Sequence, residues 1–175
     1  MKIYYIKISE LINKYSKKEI LTYSATNRIS SPKRLLQHCA GRFLVQNTLK
    51  KIYNIKTPKI ILINKKPQIE NEKIHFSLAH SSDYVIAAFD EHTCGIDIEY
   101  MRPIRLDLMS KRYNKTFKTT EDFYKFWTTY EASIKLGMKP EFEHFSIFQK
   151  DYGLSILSSH KIQSPIEFED FLFNC

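Results

Sequence analysis

The chain has 175 residues, enough for one good-sized core or for two small lobes packed together. Apolar residues make up 43% and charged ones 26%, which excludes a disordered chain, and no apolar run reaches the length of a membrane span. A net charge of +8 and a pI near 9.3 favour an acidic partner or a phosphate-rich ligand, although lysine amid abundant Ile, Asn and Tyr is also what AT-rich coding sequence gives. The amino terminus MKIYYIKISE is mixed and not signal-like, so the protein is expected in the cytoplasm. Cys39, Cys94 and Cys175 are far apart and odd in number, which gives no metal spacing or disulfide framework and reads as buried thiols and a tail residue.

KIYYIKI (Lys2 to Ile8) is rich in β-branched and aromatic residues and reads as a strand. Leu11 to Tyr23 reads as a weakly periodic helix. Ser30-Ser31-Pro32 marks the start of a second helix, with proline in its first turn and Leu35, Cys39, Phe43 and Leu49 on about one face. Gly41 inside it is expected to permit a close packing contact, since glycine there costs about 1 kcal/mol relative to alanine. KIILI (Lys59 to Ile63) is a strand, NKKPQIENEK a turn or loop, and KIHFSLA, YVIAAF and CGIDIEY are three further strands. Helix returns at Leu106 to Arg112 and from Thr120 to Leu136. FEHFSIF, LSILS and IEFEDFLF read as closing strands. The order is α+β, with helices interleaved among largely antiparallel strands.

Residues two apart in a strand share a face, so Asp97 and Glu99 point one way and Ile96 and Ile98 the other. Unpaired burial of two carboxylates is expensive, so a positive charge is expected between them. An oxygen-only donor set suits Mg²⁺, whereas spacing alone favours acids that face solvent or pair with Lys and Arg. In the later helix Trp127, Glu131 and Lys135 recur every four residues, and Phe123, Tyr130 and Ile134 form an adjoining apolar stripe. Read alone, Glu131 and Lys135 are a surface pair worth about 0.2–0.5 kcal/mol, and Trp127 is core. His80 at a strand end is by itself a structural histidine. Lys65, Lys66, Lys33 and Arg34 are by themselves solvated charge, although helix amino termini do bind phosphate.

In order, "KKPQI", "FSLAHSSDYVIAAF", "GIDIE" and "FWTTYEASIKLG" resemble the 4'-phosphopantetheinyl transferase superfamily, most of all its larger single-chain type that modifies carrier proteins. The family pattern is a K-P turn, F-N-x-S-H-S before a strand, G-[IV]-D-[IV]-E, and W-x-x-K-E-A-x-x-K. The resemblance covers Lys66 to Gly137, continues loosely through "FEHFSI", and includes the helix with "CAGRFLV". It implies that Asp97, Glu99 and Glu131 hold Mg²⁺, with Mn²⁺ as an alternative, beside the diphosphate of coenzyme A. It also implies that Glu131 is a general base and that Lys135 contacts the diphosphate as the nucleotide leaves. His80 and Lys66 would touch coenzyme phosphates, and Lys33 and Arg34 at the helix start are assigned with them. The implied reaction moves the 4'-phosphopantetheine arm onto a serine of an apo acyl or peptidyl carrier protein and releases 3',5'-ADP. That places the chain in fatty acid, polyketide or nonribosomal peptide biosynthesis. The implied architecture is two similar α+β lobes related by a pseudo-twofold, residues 1–100 and 101–175, in a monomer with an acidic carrier protein as partner and neither nucleic acid nor membrane.

The sequence departs from that pattern at Ala79 for serine, Ser77 for asparagine, Ser82 for glycine and Tyr130 for lysine. These departures motivate a second reading, a non-catalytic relative that binds coenzyme A or a carrier protein. A third, a basic nucleic-acid-binding domain, rests on net charge and 14% aromatic content alone.

Overall fold

The computed structural model of the chain describes residues 1–24, 29–63, 66–162 and 166–174. Strand β1 (Lys2–Lys7) leads into two short helices, α1 (Ile8–Lys14) and α2 (Lys17–Leu21), and then the long α3 (Pro32–Lys51). The single helix expected over 11–23 is broken because Ser16 starts a new one. Its side chain accepts from the Glu19 amide while the Glu19 carboxylate accepts from the Ser16 amide. Proline at the first turn of α3 and Ser31 as its cap match the expectation.

A hairpin of β2 (Ile60–Ile63) and β3 (Lys66–Ile69) follows, so Lys66 and Pro67, expected in a loop, are in a strand. Pro67 is tolerated because a two-stranded hairpin has an outer edge that needs no donor. Next come β4 (His75–Ser81), β5 (Tyr84–Asp90), β6 (Cys94–Tyr100), α4 (Leu106–Tyr113), α5 (Thr120–Leu136), β7 (Phe142–Phe148) and β8 (Tyr152–Ser158). The expected strand IEFEDFLF is only a short β9 (Phe168–Asp170), and Phe171–Asn174 turns into helix α6.

The larger sheet has the order β4-β5-β1-β9, antiparallel except for β1 with β9, and the smaller one has the order β6-β8-β7. Alternation along the strands sorts side chains into layers. Val85, Ala87 and Phe89 of β5 pack with Cys39, Phe43 and Leu44 under α3, whereas Ile86 and Ala88 meet Ile96, Ile98, Leu154 and Ile156 of the smaller sheet. The two sheets therefore stack face to face. Helix α3 covers the outer face of one, and α5 covers the other through Thr128, Ala132 and Leu136. Cys39 and Cys94 are buried free thiols, as expected, and Cys175 lies outside the described residues. Among the described residues no helix is long and apolar enough to cross a membrane.

Candidate active site

Strand β6 and helix α5 carry Asp97, Glu99 and Glu131 within electrostatic reach of one another, although their carboxylates do not all lie within 4.8 Å. Ile96 and Ile98 are fully buried between the sheets, which turns Gly95, Asp97 and Glu99 toward α5. The helix starts at a Thr119/Asp122 capping box and stops at Gly137, whose φ of 75° is left-handed. It approaches β6 so closely that a Cβ on Gly95 would run into the Ala132 carbonyl oxygen and lie 2.9 Å from the Leu136 nitrogen. This contact sets Glu131 and Lys135 over the acidic strand.

Asp97 is only 8% exposed. Its Oδ1 accepts from Lys135 Nζ at 2.8 Å, and the same ammonium donates to the Ile96 carbonyl at 2.9 Å. Its Oδ2 is buried with no hydrogen-bond partner. Burial pushes the Asp97 carboxyl up to about 6; Lys135 opposes this, and the negative charges of Glu99 and Glu131 add to it. Three carboxylates thus share one neighbourhood with a single bonded lysine, an arrangement that is short of positive charge. Glu99 is half-buried and accepts from Ser81 Oγ at 2.8 Å. Among the described residues, the His, Cys, Asp and Glu side chains that do converge within 4.8 Å are a different group, Asp90, His92 and His160.

The basic residues approach from β3, β4 and α3. On β4, Phe76 and Leu78 pack on the α3 side, so the alternation puts His80 on that side too. Packing against the protein, then the charges of Lys135, His38 and Arg34, push the His80 imidazole below its ordinary pKa. Arg34 and Lys33 are exposed in the first turn of α3, and Gln37 of that helix donates to the Ser82 carbonyl at 3.0 Å. Lys66 reaches from β3 to the end of α5, where its ammonium occupies the space a side chain on Gly137 would need. Lys65 lies outside the described residues.

His38 and Arg42 escaped the sequence reading. With Arg34 they repeat every four residues along α3, and His38 Nε2 and Arg42 Nε are buried without a hydrogen-bond partner. Their spacing was the available signal, and it was masked by the apolar residues between them.

The departures from the family pattern have local explanations. Ser77 Oγ accepts from the Ile96 amide and Ser81 Oγ from the Tyr100 amide, both at 3.0 Å, so these buried serines serve donors along the edge of β6. Ala79 between them is 4% exposed in the inter-sheet core, where a hydroxyl would find apolar neighbours. The expected stripe of Phe123, Tyr130 and Ile134 is divided. Phe123 is buried among Tyr113, Phe117 and Trp127, but Tyr130 and Ile134 are 48% and 53% exposed. The reason is rotational: α5 docks on the sheet through Thr128, Ala132 and Leu136, which leaves positions 130 and 134 on its open flank.

No family model matches the chain. It is 30% identical over 124 residues to the 4'-phosphopantetheinyl transferase Sfp of Bacillus subtilis, covering 61% of this chain and 55% of that relative. It is 27% identical over 162 residues to the 4'-phosphopantetheinyl transferase psf-1 of Bacillus pumilus, covering 79% and 70%, respectively. It is 25% identical over 156 residues to the 4'-phosphopantetheinyl transferase gsp of Aneurinibacillus migulanus, covering 77% and 65%. The chain thus spans little more than half the length of the first of these relatives.

Proposed function

Since this chain belongs to the 4'-phosphopantetheinyl transferase superfamily, we propose that it transfers the 4'-phosphopantetheine arm of coenzyme A to a serine of an apo acyl or peptidyl carrier protein. The observation that carries this reading is the charge balance at Asp97. A buried carboxylate with one oxygen on Lys135 and the other without a partner, next to two further carboxylates, is suited to a divalent cation. Asp97, Glu99 and Glu131 would hold Mg²⁺ or Mn²⁺, which when bound neutralises charge on the diphosphate.

The chain's own residues do the rest. The carrier serine oxygen attacks the phosphorus that bears the pantetheine arm, and the bond from that phosphorus to the bridging oxygen breaks, so 3',5'-ADP leaves. Glu131 takes the serine proton, because a hydroxyl is a poor nucleophile until a positioned carboxylate accepts it. Lys135 follows the negative charge as it develops on the leaving oxygen. Lys66, Lys33 and Arg34 bind the coenzyme phosphates as fixed positive charge, and His80, an imidazole whose pKa is lowered by packing and by Lys135, donates a hydrogen bond to a phosphate beside them. The exposed Tyr130, Ile134 and Met138 lie beside this site and give a carrier helix an apolar surface amid basic charge.

The same reading has two α+β lobes, 1–100 and 101–175, related by a pseudo-twofold. The placement of α3 and α5 on opposite outer faces of the stacked sheets supports it, while β6, from the first lobe, is hydrogen-bonded to β8 in the second.

The test is intact-mass spectrometry of apo carrier proteins incubated with the full chain, coenzyme A and Mg²⁺. A gain of one phosphopantetheine arm on serine is expected. No gain on any cognate apo carrier, with coenzyme A still bound, would establish the non-catalytic relative.

A further inference from the structure

A second group of ligating side chains lies away from this cleft, at the end of β6 opposite Glu99. Asp90 closes β5, His92 sits in the turn to β6, and His160 follows β8. The Asp90 carboxylate is buried, and its Oδ1 lies 3.4 Å from His92 Nδ1 and 4.0 Å from His160 Nε2. Ligands bound tetrahedrally at zinc distances are about 3.3–3.6 Å apart, so these separations need only a small closure. The His92 separation is already within that range, and the closure falls to His160, whose side chain is 31% exposed.

The surroundings favour ligation over a plain ion-pair cluster. His160 Nδ1 is 2.8 Å from Ser158 Oγ. The tautomer that donates there leaves the lone pair of Nε2 toward Asp90, as a metal-bound histidine held by an outer hydrogen bond requires. The two imidazoles stack with centroids 3.9 Å apart, which holds both rings beside the Asp90 carboxylate. The Met1 ammonium lies 3.1 Å from Asp90 Oδ2, and Oδ1 also accepts from the His92 amide, so one lone pair of Oδ1 remains for a cation. The group opens onto a surface cavity of about 340 Å³ bordered by Lys2, Tyr53 and Glu91, which leaves room for water as a fourth ligand.

We propose that Asp90, His92 and His160 form a structural binding site for Zn²⁺ or a similar borderline divalent cation. Asp90 belongs to the larger sheet and His160 follows the last strand of the smaller one, so the ion would clamp the two stacked sheets at this end. Nitrogen ligands separate the site chemically from the all-oxygen group at Asp97.

The test titrates Zn²⁺ alone into the full chain by calorimetry, with excess Mg²⁺ present to occupy the carboxylate group. A single Zn²⁺ is expected per chain, with unchanged affinity in Asp97→Asn, no measurable binding in His160→Ala and weaker binding in His92→Ala. Because His92 is solvent-facing, His92→Ala retains its fold and stays informative if His160→Ala does not. Ser158→Ala should weaken the site by about 10–100-fold through the outer hydrogen bond. Absence of Zn²⁺ binding, binding lost in Asp97→Asn, or binding untouched in His92→Ala would overturn the proposal.

Discussion

Replacing Gly95 by alanine tests whether the contact between β6 and α5 sets the catalytic geometry. Gly95 is not in the left-handed region, so alanine is acceptable to the strand and the effect isolates the helix contact. The added Cβ would meet the Ala132 carbonyl and lie 2.9 Å from the Leu136 nitrogen, whereas ordinary contact begins near 3.4 Å. Both atoms are helix backbone and cannot swing aside, so α5 must retreat by on the order of 1 Å. Overpacking of this kind costs about 1–3 kcal/mol, and an immobile neighbour puts Gly95→Ala at the upper end. The rate effect is separate. Glu131 and Lys135 ride on the displaced helix while Asp97 and Glu99 stay on the strand, and a 1 Å misplacement costs about 100-fold. Urea unfolding gives the first quantity, and carrier modification at saturating coenzyme A gives the second. Gly41→Ala is the control. Its Cβ meets only a Leu78 methyl, 2.8 Å away on a flexible side chain, and alanine gains about 1 kcal/mol in a helix, so near-neutral stability is expected. Wild-type rate and stability in Gly95→Ala would refute the role given to this contact.

Asp97→Asn should abolish transfer with the fold intact, as circular dichroism and modification rates would report. The raised pKa of Asp97 also fixes a pH dependence. Between its ordinary value of 3.8 and about 6 the folded carboxyl holds a proton that the unfolded one has lost, so stability without metal falls as pH rises through that window. The fall is up to about 3 kcal/mol and should vanish in Asp97→Asn, measured by denaturant midpoints in chelator. His80→Ala and Lys66→Ala should each weaken coenzyme A binding in calorimetry, with a smaller penalty for coenzyme lacking its 3'-phosphate where that group is the one contacted. Tyr130→Lys should raise the transfer rate by about one order of magnitude or more, because it adds a charge beside the phosphates at an exposed position.

The residues whose meaning is local were legible in the sequence. The alternation of GIDIE put Asp97 and Glu99 on one face and Ile96 and Ile98 on the other, and the helix read from Thr120 to Leu136 has those bounds in the structure. What depends on distant partners was not. KKPQI has too short a pattern to distinguish a loop from β3, which exists because β2 pairs with it. Ser77 enters only as a departure from the family pattern, and its role and that of Ser81 exist only once β6 is beside them. Tyr130 fits an apolar stripe by spacing, and only the docking angle of α5 leaves it in solvent. Asp90, His92 and His160 are joined across some seventy positions by sheet stacking, which no spacing rule contains.

The parallel pairing of β1 with β9 has a consequence for the order in which the protein matures on the ribosome. Tyr4 and Phe43 leave the exit tunnel well before their edge-on ring partner Phe171, which lies 128 positions beyond Phe43. Until then β1 has an unoccupied edge, and the layer beneath α3 lacks two apolar side chains, Phe171 and Leu172. Closure across so long a stretch is slow, and an open strand edge is a template for intermolecular pairing. Nascent chains stalled after Ser158 should therefore carry the complete β6-β8-β7 sheet and every residue of the cleft, yet remain chaperone clients.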